Sequence, residues 1–179
     1  GFSASSLGYL NDLWKWDGTS WTWISGSDGP NQPGTYGTQG VAAPGNVPGA
    51  RYFAVSWSDA SGNLWLFGGT AYLRPGAGVP MNDLWKWDGE NWTWVNGAGF
   101  DGQKVGVYGT KGVAAPGNVP GARGGAVSWS DTSGNLWLFG GYGVAAASSG
   151  RLNDLWKWDG TSWTWVSGSS GTDQDGSYG

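Results

Sequence analysis

The 179-residue chain has no cysteine and no histidine, and a single methionine. These absences exclude disulfides, thiol nucleophiles, zinc or haem sites built on Cys or His, and a Ser-His-Asp triad. Charge is sparse as well, at 12% of residues, about half the roughly 25% of an average soluble domain. Basic groups are the scarcer sign: nine Lys and Arg against thirteen Asp and Glu leave a net charge of -4. No nucleic-acid partner is expected, because phosphate contacts need clustered positive charge. No apolar run approaches the roughly 20 residues of a membrane-spanning helix, so no membrane span is expected. The window holds no signal-peptide pattern or lipidation motif and states no destination of its own.

What the chain has in excess is glycine, with 36 residues, and tryptophan, with 16. Aromatic residues reach 16%, which speaks against disorder. The excess is organised by repetition, the first thing to look for in such a composition. The octapeptide NDLWKWDG starts at Asn11, Asn82 and Asn153, 71 residues apart each time. VAAPGNVPGAR starts at Val41 and Val113, and SGNLWLFGG at Ser61 and Ser133. Residues 10–27 and 152–169 differ only at Ile24 against Val166. The chain opens and closes partway through a unit, as a segment of a longer array would.

Each full unit carries four short runs that read as strands, at 54–58, 63–67, 83–87 and 92–96, and again at 126–130, 135–139, 154–158 and 163–167. The first part of the chain supplies only the last two, at 12–16 and 21–25. Asp17-Gly18, Asp88-Gly89 and Asp159-Gly160 suit the tight turns between third and fourth strands, since Asp and Gly tolerate positive φ. No segment sustains a 3.6-residue apolar period, so the fold class is all-β. Several strands are bulky and apolar on both faces; Trp65 and Phe67, for example, oppose Leu64 and Leu66. A sheet held between two other sheets needs that pattern. Tryptophan, burying roughly 150–250 Å² each, fills the ~10 Å between stacked sheets.

Gly68-Gly69 and Gly140-Gly141 close the second strand, and an Arg (Arg51 or Arg123) precedes the first. Trp16 with Trp21, Trp87 with Trp92, and Trp158 with Trp163 form aromatic pairs across the third and fourth strands. Taken together, these features resemble the kelch repeat, in the long bacterial form related to the central domain of galactose oxidase. The unit is longer than the roughly 50 residues of an ordinary kelch repeat, and Trp16, Trp87 and Trp158 stand where Tyr is usual. The resemblance implies a kelch-type β-propeller segment with four-stranded antiparallel blades. About two and a half blades fall in this window: a half blade at 1–28, then a long loop plus a full blade at 29–99 and again at 100–179. The Gly pairs, the Trp pairs and the two Arg take structural roles.

The long connections, about 26–51, 70–81, 97–123 and 142–152, all fall on one side of such an array. Loops on a rigid scaffold carry binding, so the segments that vary between units, with Tyr72, Leu73, Arg74, Tyr142 and Arg151, are the candidate contact surface for a protein or glycan. Indoles at fixed strand positions belong to the core rather than to sugar stacking. Asp12, Asp83 and Asp154, like Asp17, Asp88 and Asp159, recur in every unit and read as turn and capping groups, whereas a catalytic centre is singular. No catalytic residue, metal ligand or cofactor is expected; the copper chemistry of the oxidase would need His. The leading expectation is a non-catalytic extracellular or cell-surface binding or scaffolding module. Two alternatives are a structural subunit of a filament or matrix built from further copies of itself, and part of a larger secreted enzyme whose catalytic groups lie elsewhere.

Overall fold

A computed structural model describes residues 8–74, 77–99 and 104–176. Among these the chain is all-β and antiparallel, with no helix, and hence none long and apolar enough to cross a membrane. β1 (Leu13–Trp16) and β2 (Trp21–Ser25) form a two-stranded sheet. β4 (Val55–Ser58), β5 (Leu64–Phe67), β8 (Leu84–Trp87) and β9 (Trp92–Asn96) form a four-stranded meander in that order. β11 (Val127–Ser130), β12 (Leu136–Val144), β13 (Ser149–Trp158) and β14 (Trp163–Ser167) repeat it. All ten strand runs of the sequence are present, with the ends moved by at most one residue except where β12 and β13 lengthen.

The turns form as their side chains dictate. Asp88 Oδ1 accepts the backbone N–H of Glu90 at 2.9 Å and of Asn91 at 2.7 Å, and Gly89 takes φ +103°. Asp59 does more: its carboxylate also accepts from the Asn63 amide at 2.8 Å and the Trp65 indole at 2.9 Å, tying the turn to the strand it starts.

The segments 70–81 and 142–152, read from sequence as loops, are strands. β6 (Thr70–Arg74) and β7 (Ala77–Pro80) form a hairpin joined by β3 (Arg51–Tyr52). In the next unit the same outer hairpin is continuous with β12 and β13 and is joined by β10 (Arg123–Gly124). The Gly pair makes this possible. Gly68 and Gly69 adopt φ +63° and +86°, a bend that L side chains resist. A Cβ on Gly68 would lie 2.7 Å from the Arg123 carbonyl.

The four-stranded sheet is packed on both faces. Trp57, Trp65, Phe67 and Leu84 meet Leu136, Leu138, Trp158 and Trp163 of the sheet that follows. Phe67 lies edge-on to Trp163 at 5.5 Å, and the Trp57 indole donates to the Trp137 carbonyl at 3.0 Å. On its other face Trp85, Trp87, Trp92, Leu64 and Leu66 pack with Leu13 of the first unit. This arrangement is compatible with a fragment of a β-propeller; the described sheets do not close a ring.

The long connections protect the sheet edges. Asn46 donates to the Trp92 carbonyl at 3.0 Å, and Gly40 N–H to that of Trp94 at 2.8 Å, so the VAAPGN stretch runs along the outer strand β9. Asn118 and Gly112 do the same along β14. An uncovered outer strand would offer its free backbone groups to other chains.

Candidate functional site

Three features could carry function: a buried polar cluster in each full unit, the outer hairpins, and the two terminal sheet faces.

The polar cluster is built where the chain enters the first strand. Arg51 lies in β3, just before β4, and Asp83 just before β8, so folding brings them together across 32 residues. Arg51 clasps Asp83 through both terminal nitrogens, at 2.8 Å each, and donates to the Gly49 and Gly68 carbonyls. The Tyr36 hydroxyl and the Trp85 indole each donate to Asp83 Oδ2 at 2.7 Å. Arg123, Asp154, Tyr108 and Trp156 repeat the cluster: Arg123 reaches Asp154 at 2.6 and 2.8 Å, and Tyr108 and Trp156 at 2.7 Å. Burial pushes the Tyr36 and Tyr108 hydroxyls well above their ordinary range, and the neighbouring carboxylates add to it. Burial also opposes the charge on Asp154, but hydrogen bonds from Arg123, its charge, and the bonds from Trp156 and Tyr108 outweigh it and hold the carboxyl below its usual range. A buried carboxylate with four donors, and a buried guanidinium with four of its five N–H groups bonded within the unit, have little left for a substrate. The cluster fastens the incoming loop, the Gly pair and the third strand together.

The structure therefore corrects one reading and sharpens another. Asp83 and Asp154 are ion-pair acceptors rather than turn caps, whereas Asp17, Asp88 and Asp159 do cap their turns. Arg51 and Arg123 bond the carbonyls of Gly49 and Gly68 and of Gly121 and Gly140, but their main partner is the Asp of their own unit. The parallel spacing of Arg to Asp, 32 and 31 residues, was the signal in the sequence that could have paired them. Lys86 and Lys157 are half-buried, and each lies about 6 Å from an indole, at 5.7 Å from Trp65 and 6.0 Å from Trp137, close enough for cation–π attraction.

On the outer hairpins, Tyr142 of β12 stands directly opposite Arg151 of β13, and both are exposed. The variable segment thus does bring two of the five candidate residues together. Tyr72 is half-buried in β6 opposite Gly78, and its N–H is bonded to the Ala50 carbonyl at 2.9 Å. The side chains of Leu73 and Arg74 lie outside the described residues. Among the described residues no cluster of three or more acidic side chains converges as a metal site would.

The terminal faces differ from the interior in one respect. Trp14, Trp16, Trp21 and Trp23 of the first unit are exposed, as are Val127, Trp129 and Phe139 on the far face of the last. The repeats of Trp14, Trp16, Trp21, Trp129 and Phe139 elsewhere in the chain are core residues, and those of Trp23 and Val127 are partly buried. Sequence reasoning placed every one of these indoles in the interior. Burial depends on a neighbouring sheet, and a single unit's sequence does not record whether one is present.

Compared with models of known protein families the chain matches none, and no curated protein sequence matches it.

Proposed function

We propose that the chain is a segment of an extracellular, kelch-type β-propeller acting as a non-catalytic binding and scaffolding module. The observation that supports this reading is how the polar groups are used. Those that recur in both full units are bonded to one another inside them, four donors to each buried Asp. Tyr142 and Arg151, which no other unit repeats, stand side by side on the exposed rim. A phenol beside a guanidinium offers a flat face for stacking and several donors for hydroxyls or carboxylates, which suits a glycan or a protein surface. The low charge and the dense packing of Gly and Trp suit a rigid body outside the cell.

The test is binding of the chain, and of its Tyr142→Ala/Arg151→Ala variant, to an array of surface glycans and to a displayed peptide library. Selective binding that falls about tenfold in the variant, equivalent to about 1.4 kcal/mol, is the expected result. Binding that is unchanged in the variant, or turnover of a bound glycan, would overturn the reading.

A further inference from the structure

Where the chain enters the first strand, the two complete units differ in sequence. The first carries Arg51-Tyr52-Phe53 and the second Arg123-Gly124-Gly125. The backbone does not ask for the difference. Phe53 and Gly125 both take left-handed φ, +56° and +66°, a conformation that Gly adopts freely and a bulky side chain resists. Phe53 gains no burial in return, since it is 69% exposed. Strain that packing does not reward is typical of positions that touch a ligand.

Phe53 faces a gap in the second unit. A Cβ on Gly124 would lie 3.4 Å from the Phe53 Cβ and 3.6 Å from the Thr70 hydroxyl, and one on Gly125 would meet nothing within 4 Å. On the other side of the same strand Gly124 pairs with Tyr142, which is 65% exposed and pairs in turn with Arg151. Paired residues on neighbouring antiparallel strands share a face, with Cβ positions about 5 Å apart. Phe53, Tyr142 and Arg151 therefore stand around one slot, floored by two residues without side chains. Both units that form the slot are complete in the chain. At the entry of the first complete unit the same place is filled: Tyr52 stands where the second has Gly124, and its ring lies 4.5 Å from Tyr9 and 4.9 Å from Phe53.

We infer that this slot takes a neutral pyranose unit of a glycan, stacked on Phe53 and Tyr142 and bonded at its hydroxyls by Thr70 and Arg151; this rests on the rim reading above and narrows it to one ligand class. Two flat apolar walls with a few polar groups match the division in a pyranose between C–H faces and hydroxyl edge. A pyranose whose hydroxyls are all equatorial presents C–H groups on both faces, so glucose-type units suit two aromatic walls best. A peptide finds less to hold. The backbone beside the slot is already bonded, Gly125 N–H to the Phe53 carbonyl at 3.0 Å and Gly69 N–H to the Arg123 carbonyl at 2.8 Å, so a peptide adding as a strand lacks the edge it needs there. An acidic ligand gains little. The Asp173 carboxylate accepts the Arg151 backbone N–H at 2.9 Å and sets a negative charge beside that residue, in a chain whose net charge is already -4.

The test is isothermal titration of the full chain with cello- and laminari-oligosaccharides, with oligomers of glucuronic acid and a displayed peptide library alongside. Binding of the neutral series is expected, and Phe53→Gly and Gly124→Tyr should each weaken it by at least about tenfold. Each variant installs the residue that the other complete unit carries at that place, at Gly125 and at Tyr52, so both should keep the native circular dichroism. Phe53→Gly should also melt no lower than the parent, because it relieves the left-handed strain. Neutral-sugar binding retained in full by either folded variant overturns the slot, and the rim reading still stands if Tyr142→Ala/Arg151→Ala abolishes that binding. Selection of acidic oligomers or peptides in place of neutral sugars overturns the ligand class. A chain that binds none of the three overturns the slot and the rim reading together.

Discussion

Asp154→Asn and Asp12→Asn make the same chemical change at the same place in the same octapeptide, and the structure requires different results. Asp154 is fully buried and accepts two hydrogen bonds from Arg123 and one each from Tyr108 and Trp156. Replacing its carboxylate by an amide removes the negative charge and one of the two oxygens that Arg123 bonds, so a buried guanidinium charge is left with neutral acceptors: the amide oxygen and the Gly121 and Gly140 carbonyls. Removing one partner of such a pair costs about 3–5 kcal/mol. For a chain of this size each kcal/mol moves the melting temperature by about 2–4 °C, so a fall of roughly 6–20 °C is expected. Asp12 is half-buried and, among the described residues, accepts a side-chain bond from Trp14 alone. Its amide analogue keeps an acceptor oxygen, and the loss should stay below about 1 kcal/mol. Calorimetric melts at low protein concentration, where association adds nothing to stability, measure both. Equal losses for the two variants would refute the claim that the ion pair, and not the octapeptide itself, makes this Asp important. Replacing both partners, Arg123→Met with Asp154→Leu, should restore most of the loss, because a matched apolar pair leaves no stranded charge.

Other consequences follow from the same geometry. The Asp154 carboxyl is held below its ordinary value in the fold, so its contribution is complete above the unfolded value of about 4 and is lost as pH falls through the lower native value. Thermal melts between about pH 5 and pH 2 should show a shallower decline for Asp154→Asn than for the parent; identical slopes would count against this. Trp163→Ala should cost about 3–5 kcal/mol by emptying the seat between Phe67 and Trp158, whereas the exposed Trp21→Ala should cost under about 1 kcal/mol in the monomer, as read by urea denaturation. Gly62 and Gly68 both take positive φ, but a Cβ meets nothing within 4 Å at Gly62 and the Arg123 carbonyl at 2.7 Å at Gly68. Gly62→Ala should therefore cost about 1 kcal/mol from conformation alone, and Gly68→Ala at least about 2 kcal/mol more from the clash; equal costs in thermal melts would argue against the close approach.

Much of the fold was legible because its signals are local. The ten strand runs and the Asp-Gly turns follow from alternation and from side chains that bond their own backbone, and those hold within a few residues. The outer hairpins were not legible. Residues 70–81 and 142–152 share almost no sequence, and the first contains two Pro and two Gly, so nothing local marks a strand. They become strands because the ladder of β12 and β13 runs on past the Gly pair and because Arg51-Tyr52 and Arg123-Gly124 add a third strand from a distant part of the chain. Among the candidate binding residues, Tyr142 and Arg151 lie nine residues apart, and only the register of β12 on β13 makes them neighbours.

By itself the sequence determined the class of the fold, the repeat and its phase, the ten inner strands, the Asp-Gly turns and the aromatic character of those sheet faces. Each of these depends on interactions within a unit, and each unit carries the full instruction. Which faces are covered was decided only in the tertiary structure. The indoles of NDLWKWDG are core at Trp85, Trp87, Trp156 and Trp158 and exposed at Trp14 and Trp16, although the letters are the same. Burial is a relation between two sheets about 10 Å apart. An indole therefore becomes core or surface according to whether folding places a sheet opposite it.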